Sequence, residues 1–203
     1  MCSKIIVKKT VKLKSYPQEF YYIPQEVPES LAMALTLIGA DFPVWAMNKI
    51  AQANVRFQIG GNGPSLKLHE GLFEISGQTV PQVLRALATL RGFMLEGQVP
   101  NHHEERPRFK TLGLMLDASR NAVPSGDTVK YLLRRMALMG INTLMLYTED
   151  TYEVGSQPYF GYLRGRYAQT ELRELDDYAD KLGIEMFPCV QTLGHLAQML
   201  RAA

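Results

Sequence analysis

Residues 125–150 read SGDTVKYLLRRMALMGINTLMLYTED, and the fold turns on how they divide. Val129, Leu132, Leu133 and Met136 recur at helical spacing, and Gly140 is well placed to stop a helix over 125–140. INTLMLY (141–147) is then a near-continuous apolar run of strand length, the signature of a strand buried on both faces. Upstream, TLGLMLD (111–117) has the same character. Downstream, TELRELDDYADKLG (170–183) reads as a helix capped by Thr170 and stopped by Gly183. IEMFPCV (184–190) follows as a third strand, and GHLAQMLRAA (194–203) starts another helix. The order βαβαβα implies parallel strands joined by right-handed crossovers.

The first half is less regular. Residues 4–14 alternate loosely and carry lysines, which suits an edge strand. SLAMALTLI (30–38) has helical spacing, with Ser30 as candidate N-cap and Gly39 as the stop. A second short helix is expected from Pro43. VRFQI (55–59) and LFEIS (72–76) read as strands, separated by the turn cluster GGNGP (60–64). TVPQVLRALATLRG (79–92) is an amphipathic helix capped by Thr79 and ended by Gly92. NHHEERPRF (101–109) is polar, charged and proline-containing, as a solvated linker between domains should be. His102, His103 and Glu104 lack the spacing that places two histidines on one helical face, so they do not make a metal motif. The expected organisation is α/β, with a small mixed domain over 1–106 and a parallel β/α domain over 107–203.

Bulk properties narrow the function. A net charge of +2 over 203 residues gives no reason to expect nucleic acid or an anionic membrane as partner. The cysteines, Cys2 and Cys189, are far apart and offer neither a disulfide framework nor a zinc spacing. The apolar run near the N-terminus, Ile5 to Val7, is too short for a signal peptide, and no window reaches the length of a membrane span. A cytoplasmic setting is the expectation. GGNGP is not a dinucleotide fingerprint, because Leu66 occupies the third glycine position.

Parallel β/α architectures carry their chemistry at the C-terminal ends of the strands. Here the first strand ends in Asp117, Ser119, Arg120 and Asn121. The second ends in Tyr147, Thr148, Glu149 and Asp150, and the third in Gln191, Thr192 and His195. Three polar clusters on one rim suit a hydroxyl-rich or anionic ligand, because Arg offers a planar fork of donors and Asp accepts from hydroxyls. Glu149 and Asp150 are adjacent, and successive strand residues point to opposite faces, so the two are not expected to flank one substrate bond together. The loop TYEVGSQPYFGYLRGRYAQ (151–169) holds five aromatics, three glycines and two arginines. Its aromatics fit a sugar-stacking wall or an excursion packing on the rim, the second being the commoner fate. For Arg164 and Arg166, surface ion pairing is commoner than anion binding.

Taken together, these rim segments resemble glycoside hydrolase family 20, the β-N-acetylhexosaminidases. GLMLDASRNAV (113–123) resembles the first barrel strand with its D-x-S-R motif. NTLMLYTED (142–150) resembles the second, where the family has N-x-L-x-x-H-x-x-D, and YADKLGIEMFPCVQTLGH (178–195) the third. The first half resembles the small α/β domain that precedes the barrel, best in LFEISGQTVPQVLRALATL. The closest pattern is a bacterial subgroup carrying S-R-N and Y-T-E-D.

The resemblance implies a small α/β domain followed by the first three β/α units of a TIM (β/α)8 barrel. It implies an exo-acting enzyme that removes terminal N-acetylhexosamine from oligosaccharides or glycoconjugates, with no cofactor and no metal. Arg120 would bind ring hydroxyls, with Asp117 beside it and Glu149 as a substrate-side neighbour. Asp150 would pair with His195 in support of the general acid. The nucleophile would be the substrate's own acetamido carbonyl, an exception to the usual two-carboxylate scheme. The family's Asp-Glu pair lies on a fourth strand, so a chain with three strands is expected to lack it and to be inactive alone. Tyr147 stands where many members have His, and Cys189, Gln191 and Leu193 also depart from the family pattern. A sugar-binding remnant without catalysis, and an open α/β domain with another polar ligand, are the competing readings.

Overall fold

A computed structural model describes residues 8–11, 19–120 and 122–191. β1 (Lys8–Val11) and β2 (Phe20–Tyr22) lead into α1 (Glu29–Ile38), which buries Leu31, Ala34, Leu35 and Ile38. The helix begins before the expected cap. Pro28 stands at the N-cap, and its carbonyl accepts from Leu31 and Ala32, so Ser30 lies within the first turn. The short helix expected from Pro43 is instead a strand, β3 (Val44–Ala46), which runs parallel to β2. Phe20 N–H donates to the Pro43 carbonyl at 2.8 Å and Val44 is buried, so a β-branched residue meets a waiting strand partner.

β4 (Val55–Ile59), β5 (Ser65–His69) and β6 (Leu72–Gly77) follow, with β5 a strand that the sequence reading passed over. Val55, Phe57, Leu66, Phe73 and Ile75 point inward on the strand period of two and meet α2 (Val80–Leu95). Thr79 is at the N-cap of α2 but makes no side-chain cap bond. The helix runs past Gly92, and the chain leaves it at Gly97 (φ 69°), a left-handed position where glycine carries no Cβ penalty.

The linker reading of 101–109 is overturned in its first part. Val99–Glu104 form β7, paired antiparallel with both β1 and β5. His103 is buried and its ring lies edge-on to Phe93 at 5.1 Å. Two strand neighbours supply the backbone hydrogen bonds that a polar composition would otherwise have left to water. Residues 106–112 are the exposed stretch.

The second half is β8 (Gly113–Asp117), α3 (Gly126–Leu138), β9 (Thr143–Tyr147), α4 (Gln169–Lys181) and β10 (Glu185–Cys189). Ser125 Oγ accepts from Thr128 N–H and so caps α3. Thr170 does not cap α4. Ala168 holds that place, and its N–H donates to Glu171 Oε2 at 2.8 Å. The three strands are parallel in the order β10-β9-β8. Leu144 and Leu146 of the central strand are buried against α3 and α4, with Val129, Leu133, Met136, Leu175 and Ala179 in the same cluster.

β8 is not buried on both faces. It is an edge strand, and the row Met115–Met145–Phe187 faces away from the helices, with Met115 53% and Phe187 43% exposed. Among the described residues, no helix is long and apolar enough to cross a membrane.

The two halves share one buried core. They are also joined by Arg134 of α3, whose Nε donates to Asp41 Oδ1 at 2.7 Å and whose Nη1 donates to Tyr178 Oη at 2.8 Å. Both partners are largely withdrawn from water; without Arg134, Asp41 keeps only the longer contact of its Oδ2 with Arg135 Nη2 at 3.6 Å and loses its hydrogen-bonded partner. Arg134→Ala is expected to cost about 2–3 kcal/mol in a urea titration; a change within about 0.5 kcal/mol, the range of ordinary surface substitutions, would refute the role of this link. The open row of the three-stranded sheet predicts that the 203-residue chain binds a hydrophobic dye or self-associates. A dye-silent monomer with a sharp melt would contradict that.

Candidate functional site at the strand ends

Parallel register sets the site. Asp117 lies opposite Tyr147, and Tyr147 opposite Cys189, so the three strands end on one line. Asp117 and Tyr147 stand on the face away from the helices, because Leu116 and Leu146 before them turn toward α3 and α4.

Asp117 is held by its own loop. Its Oδ1 accepts from Ser119 Oγ at 2.6 Å and from Ser119 N–H at 2.8 Å. Those two bonds, and then the Arg120 guanidinium, hold its carboxyl below the usual aspartate range. Arg120 Nε is 3.6 Å from Asp117 Oδ2, but its side chain is 70% exposed. Such a contact contributes little by itself, which leaves the fork of donors open to a ligand.

The chain turns sharply after Tyr147. Thr151 N–H and Oγ1 both donate to the Thr148 carbonyl, and Glu149 sits at φ 49°, a left-handed position that costs a non-glycine residue. The turn gives the two carboxylates different partners, and it does so by left-handed backbone beyond the end of β9 rather than by strand alternation. Glu149 Oε1 accepts from Tyr147 Oη at 3.4 Å. Burial, and next the Glu149 charge, push the Tyr147 hydroxyl up, so it remains a proton donor at neutral pH. Gln191 Nε2 donates to the same Tyr147 oxygen from the end of β10.

Asp150 points elsewhere. Like Glu149 it is buried, but its Oδ1 lies 3.5 Å from Arg164 Nη2, which also donates to the Ser119 carbonyl. Arg164 therefore ties the end of β9 to the loop after β8 and is withdrawn from water rather than in a surface pair. Arg166 donates to the carbonyls of Pro158 and Phe160 within its own loop. Neither arginine offers a free anion site. His195, Thr192 and Asn121 lie outside the described residues.

Of the predicted residues, Asp117, Arg120 and Glu149 are brought to one rim, with Tyr147 and Gln191 between them. Asp150 sits beneath, facing Arg164. The tie through Arg164 is what the sequence reading missed, because nothing in the sequence sets the path of the intervening loop. The chemistry of the rim is two carboxylate acceptors beside a guanidinium, a phenol and an amide. That set matches a neutral ligand with several hydroxyls. Among the described residues, no group of three potential metal ligands occurs.

No protein-family model matches the chain, and no curated protein does. Solved structures do share the fold. The N-acetyl-β-hexosaminidase of Streptomyces plicatus superposes with a TM-score of 0.73 at 17% identity, over 97% of this chain and 47% of that one. The β-N-acetylhexosaminidase of Bacteroides fragilis gives 0.69 at 18% identity, over 98% and 46%. The family 20 exo-β-N-acetylglucosaminidase of Vibrio harveyi, solved with N-acetylglucosamine, gives 0.68 at 18%, over 98% and 37%. The chain thus spans less than half the length of each. At these identities the likeness defines the fold alone, a mixed α/β arrangement shared with these structures.

The geometry of Asp117 gives a prediction. Its folded pKa is depressed, so the stability it contributes is present above the ordinary aspartate value near 4. That contribution is lost as pH falls from there through the lower folded value. In Ser119→Ala, NMR titration of the Asp117 carboxyl should show the pKa moving up toward the ordinary value. An unmoved titration would mean that Ser119 does not hold the charge.

Proposed function

We propose that this chain is part of an exo-acting β-N-acetylhexosaminidase and supplies the sugar-holding side of its active site. The observation that carries this reading is the cluster Asp117, Arg120, Tyr147 and Glu149 at the ends of the parallel strands β8 and β9, in a fold shared with hexosaminidases. On this reading β8, β9 and β10 are the first three strands of a TIM barrel, and residues 1–106 form the small domain before it. Arg120 and Asp117 bind ring hydroxyls of a terminal N-acetylglucosamine or N-acetylgalactosamine. Glu149 and Tyr147 line the same pocket.

Asp150 has a second part. Its buried Oδ1 has the ion contact with Arg164 and no hydrogen bond among the described residues. A buried carboxylate oxygen is costly without a donor, and His195 is proposed to supply one. That pair would then support a general acid. The acetamido carbonyl of the substrate acts as nucleophile, and the carboxylates that orient it and protonate the leaving oxygen come from outside β8–β10. The mechanism is retaining and needs no cofactor.

The test has two arms. The complete gene product should release the aryl group from an aryl N-acetyl-β-glucosaminide far faster than from the matching glucoside. The chain itself should bind N-acetylglucosamine, and Arg120→Ala should weaken that by about tenfold or more, the value of a charge-assisted hydrogen-bonding contact. Binding that ignores both the acetamido group and Arg120 would refute the assignment.

A further inference from the structure

A cleft of about 360 Å³ lies between the two halves, at the end of the three-stranded sheet away from the rim. Leu112 and Asn142 line one wall and come just before β8 and β9. Strands of five residues therefore set the cleft about 16 Å from Asp117 and Tyr147. Gln82 and Arg85 of α2 line the facing wall.

The stretch 106–112 borders this cleft and is fastened at both ends. Glu105 N–H donates to the Pro64 carbonyl at 2.8 Å, and Gly63 leaves no room for a Cβ beside the Glu105 carbonyl and Pro107. Asn142 holds the far end. Its Nδ2 donates to the Lys110 carbonyl at 2.8 Å, and its Oδ1 accepts from Leu112 N–H at 2.8 Å. Arg85 spans the walls, its Nη1 donating to the Met139 carbonyl just past α3 at 2.9 Å. The cleft is thus preformed, and a ligand orders little of the protein on entering it.

Its charge is one-sided. Arg85, Arg106, Arg108 and Lys110 line it against one carboxylate, Glu105. Burial pushes the Glu105 carboxyl up, but the His103 ring and then Arg85 hold it below the ordinary glutamate range, so Glu105 and Arg85 match each other. Arg106 has a long contact with Glu104, at 3.7 Å, and is 74% exposed. Arg108 and Lys110 are exposed, and no carboxylate among the described residues forms an ion pair with either. The whole chain carries a net charge of +2, so these cations are a local concentration rather than a general excess. Phe109, between Arg108 and Lys110, lines the same cleft and is largely exposed.

We propose that this cleft binds a small phosphate monoester that carries a ring. A phosphate group accepts from guanidinium forks and from an ammonium, which is the chemistry that Arg106, Arg108 and Lys110 offer. Phe109 supplies an apolar face for the ring. The volume lies in the range of small-molecule sites, roughly 300–1,000 Å³. Both halves line the cleft, so a bound ligand ties them together.

The test titrates the isotope-labelled chain with phenyl phosphate, inorganic phosphate and phenyl β-glucoside and follows the amide shifts. Phenyl phosphate should give saturable shifts at residues 105–112 and 139–142 and leave 117–120 unmoved. The neutral glucoside should leave 105–112 unmoved. Arg108→Ala/Lys110→Ala should weaken phenyl phosphate binding about tenfold or more, and both positions are exposed, so the fold should survive. Lys49→Ala/Lys181→Ala removes the same charge from surface outside the cleft and should leave binding unchanged. Phe109→Ala should bring the affinity for phenyl phosphate down to that for inorganic phosphate. Phosphate binding that survives Arg108→Ala/Lys110→Ala, or falls equally in the Lys49/Lys181 variant, would overturn the site. Wild type binding inorganic phosphate as tightly as phenyl phosphate would overturn the place given to the ring.

Discussion

Side-chain alternation along β9 is the constraint on which the rest of this structure depends. Leu144 and Leu146 must point into the helices, because they are the central apolar residues of that core. Thr143, Met145 and Tyr147 are thereby sent to the opposite face. In-register pairing passes the same choice to the neighbours, so Asp117 arrives beside Tyr147 rather than among the helices. A one-residue slip would bury that carboxylate and expose the leucines, so the core fixes the position of the polar rim.

The tight turn from Thr148 to Thr151 then breaks the alternation and gives two adjacent carboxylates different surroundings. Both are buried, Glu149 beside the Tyr147 hydroxyl and Asp150 against Arg164. The two arginines near these groups also differ. Arg164 is 14% exposed and engaged with a carboxylate and a carbonyl, so it holds loops together. Arg120 is 70% exposed with a long contact to Asp117, so its donors are available to a ligand. Residue type alone does not distinguish an arginine that ties loops together from one whose donors stay open to solvent; burial and partners do.

Much of this was legible in the sequence, and the rest was not for physical reasons. The second half was readable because each β/α unit is local: the stripe Val129, Leu133, Met136 and the run TLMLY each carry their own period. The placement of Asp117, Arg120 and Glu149 beside the strand ends was readable because they follow such runs. β3 and β7 were misread because their partners are distant. Val44 pairs with Phe20, and His102 with both Lys8 and Lys67, and such pairing overrides a proline or a polar composition. The exposure of β8 was hidden because an apolar run states that burial is wanted, not what covers it. The path of the loop carrying Arg164 depends on contacts with Asp150, Ser119 and Pro124 that no local pattern encodes.

The central claim is that the ends of β8 and β9 hold a terminal N-acetylhexosamine. The most direct measurement is the set of backbone amide shifts in an N-acetylglucosamine titration of the isotope-labelled protein. The account predicts saturable shifts concentrated at residues 117–120 and 147–150, with little change in the sheet formed by β4 to β7. Shifts confined to that other sheet, or to the exposed stretch 106–112, would contradict it.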